Sequence, residues 1–273
     1  MTDAFAHCEQ IVRDADKDRF LATLYAPANR RGPLFALYAL NAEVARVRDA
    51  IRQPMAGEIR LQWWRDALER PGSGEARGNP IASALLDSVV RFQLPVRSLL
   101  DLLEARSFDL YGDPMPTLAA LEAYAEKTSS TLIDLAARIL DPAPTDPAPV
   151  REAGVAYALT GLLRAFPYHA ARGQLYVPLE LLERHGARPE DIFDGRATPQ
   201  IAAALAELRE VAQRHLAAYR QAEIAPVLAP AFLPAELTGL YLKRLAGTAD
   251  PFRPRDVPAW RRQWALWRAA RRM

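Results

Sequence analysis

Apolar residues recur at three- and four-residue spacing through almost every long segment of this chain of 273 residues. That period places them on one face of an α-helix, and no alternating apolar–polar run bounded by turn residues predicts a strand. The clearest stripes are Leu34, Leu37, Val44, Val47 and Ile51; Leu99, Leu102, Leu103 and Phe108; and Ile201, Leu205, Leu208, Val211, His215 and Tyr219. We therefore predict an all-α fold.

Proline and glycine mark the breaks between the predicted helices. The predicted loops are residues 71–80, 112–116 and 141–149. Pro33 is expected to begin a helix that continues to Ile51, and Thr117 is a predicted N-cap. The proline-rich segment 141–149 could be an interdomain linker. We favour a long interhelical loop, because the helices on both sides show apolar faces that need a partner, and we predict a single domain over residues 1–273.

Composition excludes several classes of protein. The formal net charge of +2 gives no bulk case for nucleic-acid binding. The lone cysteine, Cys8, rules out an internal disulfide, and we expect an inert thiol, exposed or half-buried, in a reducing compartment. No window approaches eighteen uninterrupted apolar residues, and the first residues lack the pattern of a signal peptide. A cytoplasmic protein is expected.

Two segments have an unusual distribution of small and polar residues. In the first, Ala42, Ala45 and Asp49 share a helical face, with Arg46 beside it. In the second, small residues three or four apart form a narrow stripe that ends in a histidine. This stripe is Gly154, Ala158, Gly161, Ala165 and His169. Such a stripe permits close helix packing or leaves room for a ligand, and packing alone is the commoner cause.

The same segments carry motifs that resemble the squalene/phytoene synthase family. Residues 38–49 read Tyr-Ala-Leu-Asn-Ala-Glu-Val-Ala-Arg-Val-Arg-Asp, and residues 61–66 read Leu-Gln-Trp-Trp-Arg-Asp. Residues 154–169 read Gly-Val-Ala-Tyr-Ala-Leu-Thr-Gly-Leu-Leu-Arg-Ala-Phe-Pro-Tyr-His, and residues 172–178 follow as Arg-Gly-Gln-Leu-Tyr-Val-Pro. Their order and spacing are similar to those of the family over about residues 15–250.

The resemblance implies a helical bundle of the isoprenoid-synthase type around a central cavity. Active members of this family join two prenyl diphosphates head to head, and aspartates from two facing helices hold the required magnesium ions. The positions that would line the cavity or bind its ligand are Tyr38, Asn41, Ala42, Ala45, Asp49, Ala158, Gly161, Ala165, His169, Arg172 and Tyr176.

The family's aspartates are mostly replaced in this sequence. Ala45 and Arg46 stand at the first two aspartate positions, and Asp49 remains at the third. In the second motif both positions are changed, to Ala165 and His169. We therefore predict no catalytic residue, no metal site and no cofactor, with magnesium required only if the chain is a prenyltransferase. His169 and Asp49 could share a metal, but a structural histidine is the commoner case.

The C-terminal segment, residues 259–273, is predicted to form a basic amphipathic helix. It contains no acidic residue, and its tryptophans fall on one helical face. The candidate membrane-contact residues are Trp260, Trp264, Trp267, Arg261 and Arg268. Interfacial tryptophans and arginines are typical of helices that lie on anionic lipid. Packing of the tryptophans on the domain is an equally weighted alternative.

Three stretches resemble the branch of the family that lacks the aspartates, which includes the mitochondrial complex I assembly factor. They are residues 35–45, 124–132 and 163–169. This resemblance implies a non-catalytic protein that assists assembly of respiratory complex I at the membrane. Its partners would be complex I subunits and the membrane surface, with the chain peripheral on the inner face of the cytoplasmic membrane.

Two alternatives remain open at the level of sequence. One is a divergent head-to-head prenyltransferase of hopanoid or carotenoid synthesis. The other is a non-catalytic protein that binds an isoprenoid or quinone lipid in its cavity. The small-residue stripe favours an apolar chain over a diphosphate as the ligand.

Overall fold

The computed structural model describes residues 3–50, 53–71, 74–143, 145–253 and 256–273. Over these ranges the chain forms helices and no strand, which confirms the predicted all-α class.

The N-terminal half contains α1 (Asp3–Ala15), α2 (Lys17–Thr23), α3 (Ala28–Ala45), α4 (Val47–Ala50), α5 (Pro54–Glu69), α6 (Gly74–Gly78), α7 (Pro80–Phe92), α8 (Val96–Arg106), α9 (Leu118–Ala125) and α10 (Thr131–Leu140). A 3₁₀ turn, Ser107–Leu110, follows α8, and a π-helical turn, Glu126–Ser130, joins α9 to α10. Thr117 caps α9 as predicted, because its hydroxyl accepts a hydrogen bond from the amide of Ala120 at 3.1 Å.

The C-terminal half contains α11 (Pro147–Arg164), α12 (Phe166–Ala170), α13 (Leu179–His185), α14 (Pro189–Phe193), α15 (Pro199–Tyr219), α16 (Ala229–Glu236), α17 (Thr238–Ala246) and α18 (Ala259–Ala270). A 3₁₀ turn, Pro226–Leu228, precedes α16. The long helix α15 lies along α11, and α13 packs against α15.

Two helices, α3 and α11, form the centre of the molecule. α3 packs against α1, α7 and α10, while α11 packs against α15, α17 and the π-helical turn. Leu34, Phe35, Leu37 and Leu40 on α3 are all buried. A helix that is apolar on most sides belongs inside a protein rather than on its surface, so these two helices are surrounded by others. Their facing sides border the central cavity described below.

Close packing of α11 on the π-helical turn depends on Gly154. A Cβ at this position would overlap the backbone and hydroxyl of Ser130. A π-helical turn adds one residue to the helical path and is frequent at functional sites. Here it brings Thr128 and Ser129 to the cavity wall, while Ser130 lies against Gly154.

The predicted start and end of α3 are wrong. The helix begins at Ala28, so Pro33 lies inside it, and it ends at Ala45. Proline removes one backbone donor. The first turns are nevertheless held by α1, whose Phe5 lies 3.1 Å from the position that a Cβ on Gly32 would take. The predicted end, Ile51, lies outside the described residues.

Two predicted loops are shorter than expected. The helix α6 forms within residues 71–80, and α11 begins at Pro147, within the proline-rich segment 141–149. Proline is tolerated in the first helical turn, because the amides there have no partner within the helix. Asp146 caps α11 by accepting a hydrogen bond from the amide of Ala148 at 2.9 Å.

Cys8 is fully buried in α1 rather than exposed or half-buried. Burial raises the pKa of its thiol to about 12. A thiol that stays protonated is a poor nucleophile, so the expectation of an inert cysteine agrees with its surroundings.

The C-terminal helix α18 packs on α2 and α16. Leu266 and Ala269 are its buried residues. Arg262 donates a hydrogen bond to the buried carboxylate of Asp18 at 3.3 Å, and the hydroxyl of Tyr241 donates to the same carboxylate at 2.5 Å. Within the described ranges, no helix has both the length and the apolar character needed to cross a membrane.

Candidate functional site

A cavity of about 270 Å³ lies between α3, the end of α8, the π-helical turn and α11. Its wall is formed by Arg19, Asn41, Ala45, Arg48, Asp49, Arg106, Asp109, Tyr124, Thr128, Ser129, Leu132, Tyr157, Ala158, Gly161, Leu162, Ala165, Tyr168, His169, Gln174 and Tyr176. Small residues on α11 leave the space, while polar and aromatic side chains surround it.

Most of the predicted cavity positions meet at this wall. They are Asn41, Ala45, Asp49, Ala158, Gly161, Ala165, His169 and Tyr176. Tyr38 is instead buried behind it, with the guanidinium of Arg19 5.5 Å from its ring centroid. Ala42 is also buried outside the wall. Arg172 contributes through its ion pair with Asp49.

Asp49 is held by residues from the second motif. The guanidinium of Arg172 donates a hydrogen bond to its carboxylate at 2.6 Å and lies 4.4 Å from the ring centroid of Tyr168. Burial and a hydrogen bond with Asp49 raise the pKa of the Tyr168 hydroxyl. Asp49, the surviving aspartate of the first motif, therefore accepts hydrogen bonds from both Arg172 and Tyr168.

A second carboxylate, Asp109, is buried in the cavity wall. It accepts hydrogen bonds from the Tyr176 hydroxyl at 2.7 Å, from the Tyr124 hydroxyl at 2.8 Å and from Arg106 at 3.1 Å. Arg106 also donates to the side-chain oxygen of Asn41 at 3.2 Å. Burial raises the pKa of both tyrosines, so they remain hydroxyl donors. Each oxygen of Asp109 therefore has a donor.

The sequence did not identify this buried cluster. Arg106 and Asp109 are three residues apart, a spacing that exposed ion pairs on helix surfaces share. Tyr124 and Tyr176 come from distant segments. Asn41 and Tyr176 were among the predicted site residues, on the strength of the motifs around them.

Arg19 places another cation at the wall. Its guanidinium lies between two aromatic rings, 5.5 Å from the centroid of Tyr38 and 4.9 Å from that of Tyr157. It also forms an ion pair with Asp16 at 2.7 Å. Stacking on two rings and pairing with a carboxylate compensate the cost of burying this charge.

His169 is a neutral residue in an aromatic setting. Burial lowers the pKa of its imidazole to about 4. Its ring centroid lies 4.7 Å from that of Tyr176 and 5.9 Å from that of Tyr168. In the part of the chain that the structure describes, no group of three or more histidine, cysteine, aspartate or glutamate side chains could hold a metal ion.

Two donors on residues of the cavity wall have no hydrogen-bond partner among the residues that the structure describes. They are the hydroxyl of Ser129 and the Nε of Arg106, and both atoms are buried. An unsatisfied buried donor costs about 1–3 kcal/mol, so such groups call for an explanation.

The predicted membrane-contact residues lie on α18, separate from the cavity wall. Trp260, Trp264 and Trp267 are exposed, whereas Leu266 and Ala269 contact the rest of the molecule. The helix therefore packs on the domain mainly through Leu266 and Ala269, and its tryptophans lie on the surface.

Comparison with curated proteins finds two kinds of relative. Complex I assembly factor 6 of Rattus norvegicus is 29% identical over 247 residues, covering 89% of this chain and 74% of that protein. The assembly factor of Homo sapiens is 30% identical over 243 residues, covering 88% of this chain and 73% of that protein. A 15-cis-phytoene synthase of Synechococcus elongatus is 27% identical over 209 residues, covering 71% of this chain and 67% of that protein.

The fold matches those of solved synthases. A dehydrosqualene synthase in complex with a ligand superposes with a TM-score of 0.82 at 20% identity, covering 98% of this chain and 96% of that one. A squalene synthase from Alicyclobacillus acidocaldarius superposes with a TM-score of 0.76 at 22% identity, covering 92% of this chain and 95% of that one. The family model for squalene/phytoene synthase matches residues 12–268, and the chain therefore belongs to the squalene/phytoene synthase family.

Proposed function

We propose that this chain is a non-catalytic member of its family that assists the assembly of NADH dehydrogenase complex I at the membrane. The observation that carries this proposal is that the aspartates of the cavity wall are already paired with arginines. Asp49 and Asp109 are the carboxylates among the described wall residues, and each is paired with an arginine. The relatives named as complex I assembly factors, which align with nearly nine-tenths of the chain, supply the role.

These residues do not fit the magnesium ions that the family's reaction requires. Magnesium takes oxygen ligands at about 2.0–2.1 Å in near-octahedral geometry, usually including carboxylates. The two carboxylates that could bind magnesium are already paired, Asp49 with Arg172 and Asp109 with Arg106. Arg48 adds a further positive charge to the wall. A fixed guanidinium near a divalent cation opposes its binding by roughly several kcal/mol at an effective dielectric of about 20. Ala45 and Ala165 offer no ligand in exchange.

The first experiment is a direct assay. The purified chain is incubated with farnesyl or geranylgeranyl diphosphate and magnesium, beside an active phytoene synthase as control. We expect no C30 or C40 product from this chain. Robust turnover would reject the non-catalytic assignment and favour a divergent prenyltransferase.

The second experiment is deletion of the gene in the source organism, with the wild-type gene returned as a control. We expect loss of NADH:quinone oxidoreductase activity with unchanged hopanoids and carotenoids. Loss of those isoprenoid lipids with normal complex I activity would contradict the assembly role.

A second candidate function, binding of a lipid ligand in the cavity, is favoured by the unpartnered donors. The Ser129 hydroxyl and the Nε–H of Arg106 would each donate a hydrogen bond to a carbonyl oxygen, as on a quinone head, without a metal ion. Ala158, Gly161 and Ala165 leave room beside an apolar chain. Ligand binding and an assembly role are compatible, because binding requires no turnover.

Gly161 offers a sharp test of this second function. A Cβ built there meets no atom within 4 Å, and Gly161 lines the cavity, so the ring of Gly161→Phe is expected to occupy cavity space. We expect the wild-type chain to bind a short-chain quinone analogue, measured by titration calorimetry, and Gly161→Phe to lose at least tenfold in affinity. Gly161→Ala serves as the control. Equal binding by all three proteins would place the ligand elsewhere.

A further inference from the structure

The outer face of α18 presents three large aromatic side chains to solvent. Trp260, Trp264 and Trp267 are 62%, 42% and 47% exposed. Their spacing of four and three residues places them along one side of the helix, and the rings of Trp264 and Trp267 contact each other at 5.7 Å between centroids. Exposed apolar patches of this kind, edged by polar groups, mark interaction surfaces.

The opposite face of the same helix is firmly held. Leu266 and Ala269 are buried, and Arg262 reaches the buried carboxylate of Asp18. Arg272 pairs with Glu236 on α16 at 3.0 Å. The helix is therefore fixed in one rotation, so the outward position of the tryptophans follows from the fold and not from a loose terminus.

Each exposed tryptophan has an arginine over its ring. The distances from guanidinium to ring centroid are 5.2 Å for Arg261 on Trp260, 5.4 Å for Arg268 on Trp264 and 5.0 Å for Arg271 on Trp267. The helix and the residues that follow it contain no acid to offset these charges. The face thus combines amphipathic rings with positive charge, the complement of a surface of phosphate headgroups above acyl chains.

We propose that the tryptophan–arginine face of α18, formed by these six residues, docks on a membrane rich in anionic lipid. The helix has 12 residues and a length of about 18 Å, so it lies along the surface rather than across it. The tryptophans would sit at headgroup depth and the arginines would contact phosphates. This inference does not depend on a role in complex I assembly.

The test is co-flotation of the full chain with vesicles of phosphatidylcholine alone or with about one-third phosphatidylglycerol. We expect binding to the anionic vesicles that weakens as salt is raised, because surface charge attraction is screened. Replacing Trp260, Trp264 and Trp267 by alanine should reduce the bound fraction at least tenfold. Replacing Arg261, Arg268 and Arg271 by glutamine should abolish the difference between the two vesicle types.

A matched control uses exposed apolar residues on other helices. Met55, Ile59 and Val90 are all exposed, and their replacement by alanine should leave flotation unchanged. Circular dichroism checks that each variant remains folded. Failure of the wild-type chain to float with anionic vesicles, or equal flotation of the tryptophan variant, would overturn the proposal.

Discussion

Two glycines on one face of α11 have opposite surroundings. Gly154 lies so close to Ser130 that a Cβ would overlap its backbone, whereas a Cβ on Gly161 would meet nothing within 4 Å. The stripe of small residues therefore serves packing at one end and leaves space at the other. The sequence showed only that both positions are small, and either cause alone would have explained it.

The largest expected effect comes from adding a methyl group at the packed end. Gly154→Ala should lower the free energy of unfolding by about 3 kcal/mol, because backbone atoms of Ser130 must move to admit it. Urea unfolding followed by circular dichroism measures this change. A loss below about 0.5 kcal/mol would show that α11 and the π-helical turn are not in such close contact.

A smaller effect is expected from the histidine that ends the stripe at the open end. Burial lowers the pKa of His169 to about 4 from an ordinary value of 6.5, so the unfolded chain takes up the proton first as the pH falls. The stability of the folded chain that depends on a neutral His169 is fully present above pH 6.5. It is lost as the pH falls toward 4, because the unfolded chain binds the proton more tightly. Between pH 7 and pH 5 the linkage relation predicts a loss of about 2 kcal/mol from this residue.

The variant His169→Leu isolates that contribution. Its unfolding free energy should fall less between pH 7 and pH 5 than that of the wild-type chain, because the other three histidines are present in both proteins. Identical pH dependence in the two proteins would mean that His169 is accessible to protons in the folded chain.

The smallest effect, and one of opposite sign, is expected at the open glycine. Gly161→Ala should raise the free energy of unfolding by about 0.5–1 kcal/mol, because alanine favours the helix and its methyl group enters empty space. The same urea titration measures it beside Gly154→Ala. Destabilisation of similar size in both variants would remove the distinction between the two ends of α11.

The motifs predicted residues that the structure brings to one cavity wall, but they did not predict the buried charges there. Asn41, Ala45, Ala158 and Gly161 were predicted from their places in the motifs, and all line the wall. The partner of Asp49 is Arg172, which is 123 residues away in the chain. The motifs predicted that Asp49 and Arg172 lie near the site, but they did not show that the two form an ion pair. That pairing leaves Asp49 poorly suited to hold a metal ion.

By itself the sequence determined the helical class, the family and the aromatic face of α18, because helical periodicity and short motifs depend on neighbours within a few turns. The tertiary structure alone decided that Asp109 accepts from Tyr124 and Tyr176, and that Gly154 packs while Gly161 does not. These hydrogen bonds and contacts depend on how helices that are distant in the sequence pack against one another. Local spacing carries no information about which side chains such a meeting brings within hydrogen-bonding distance.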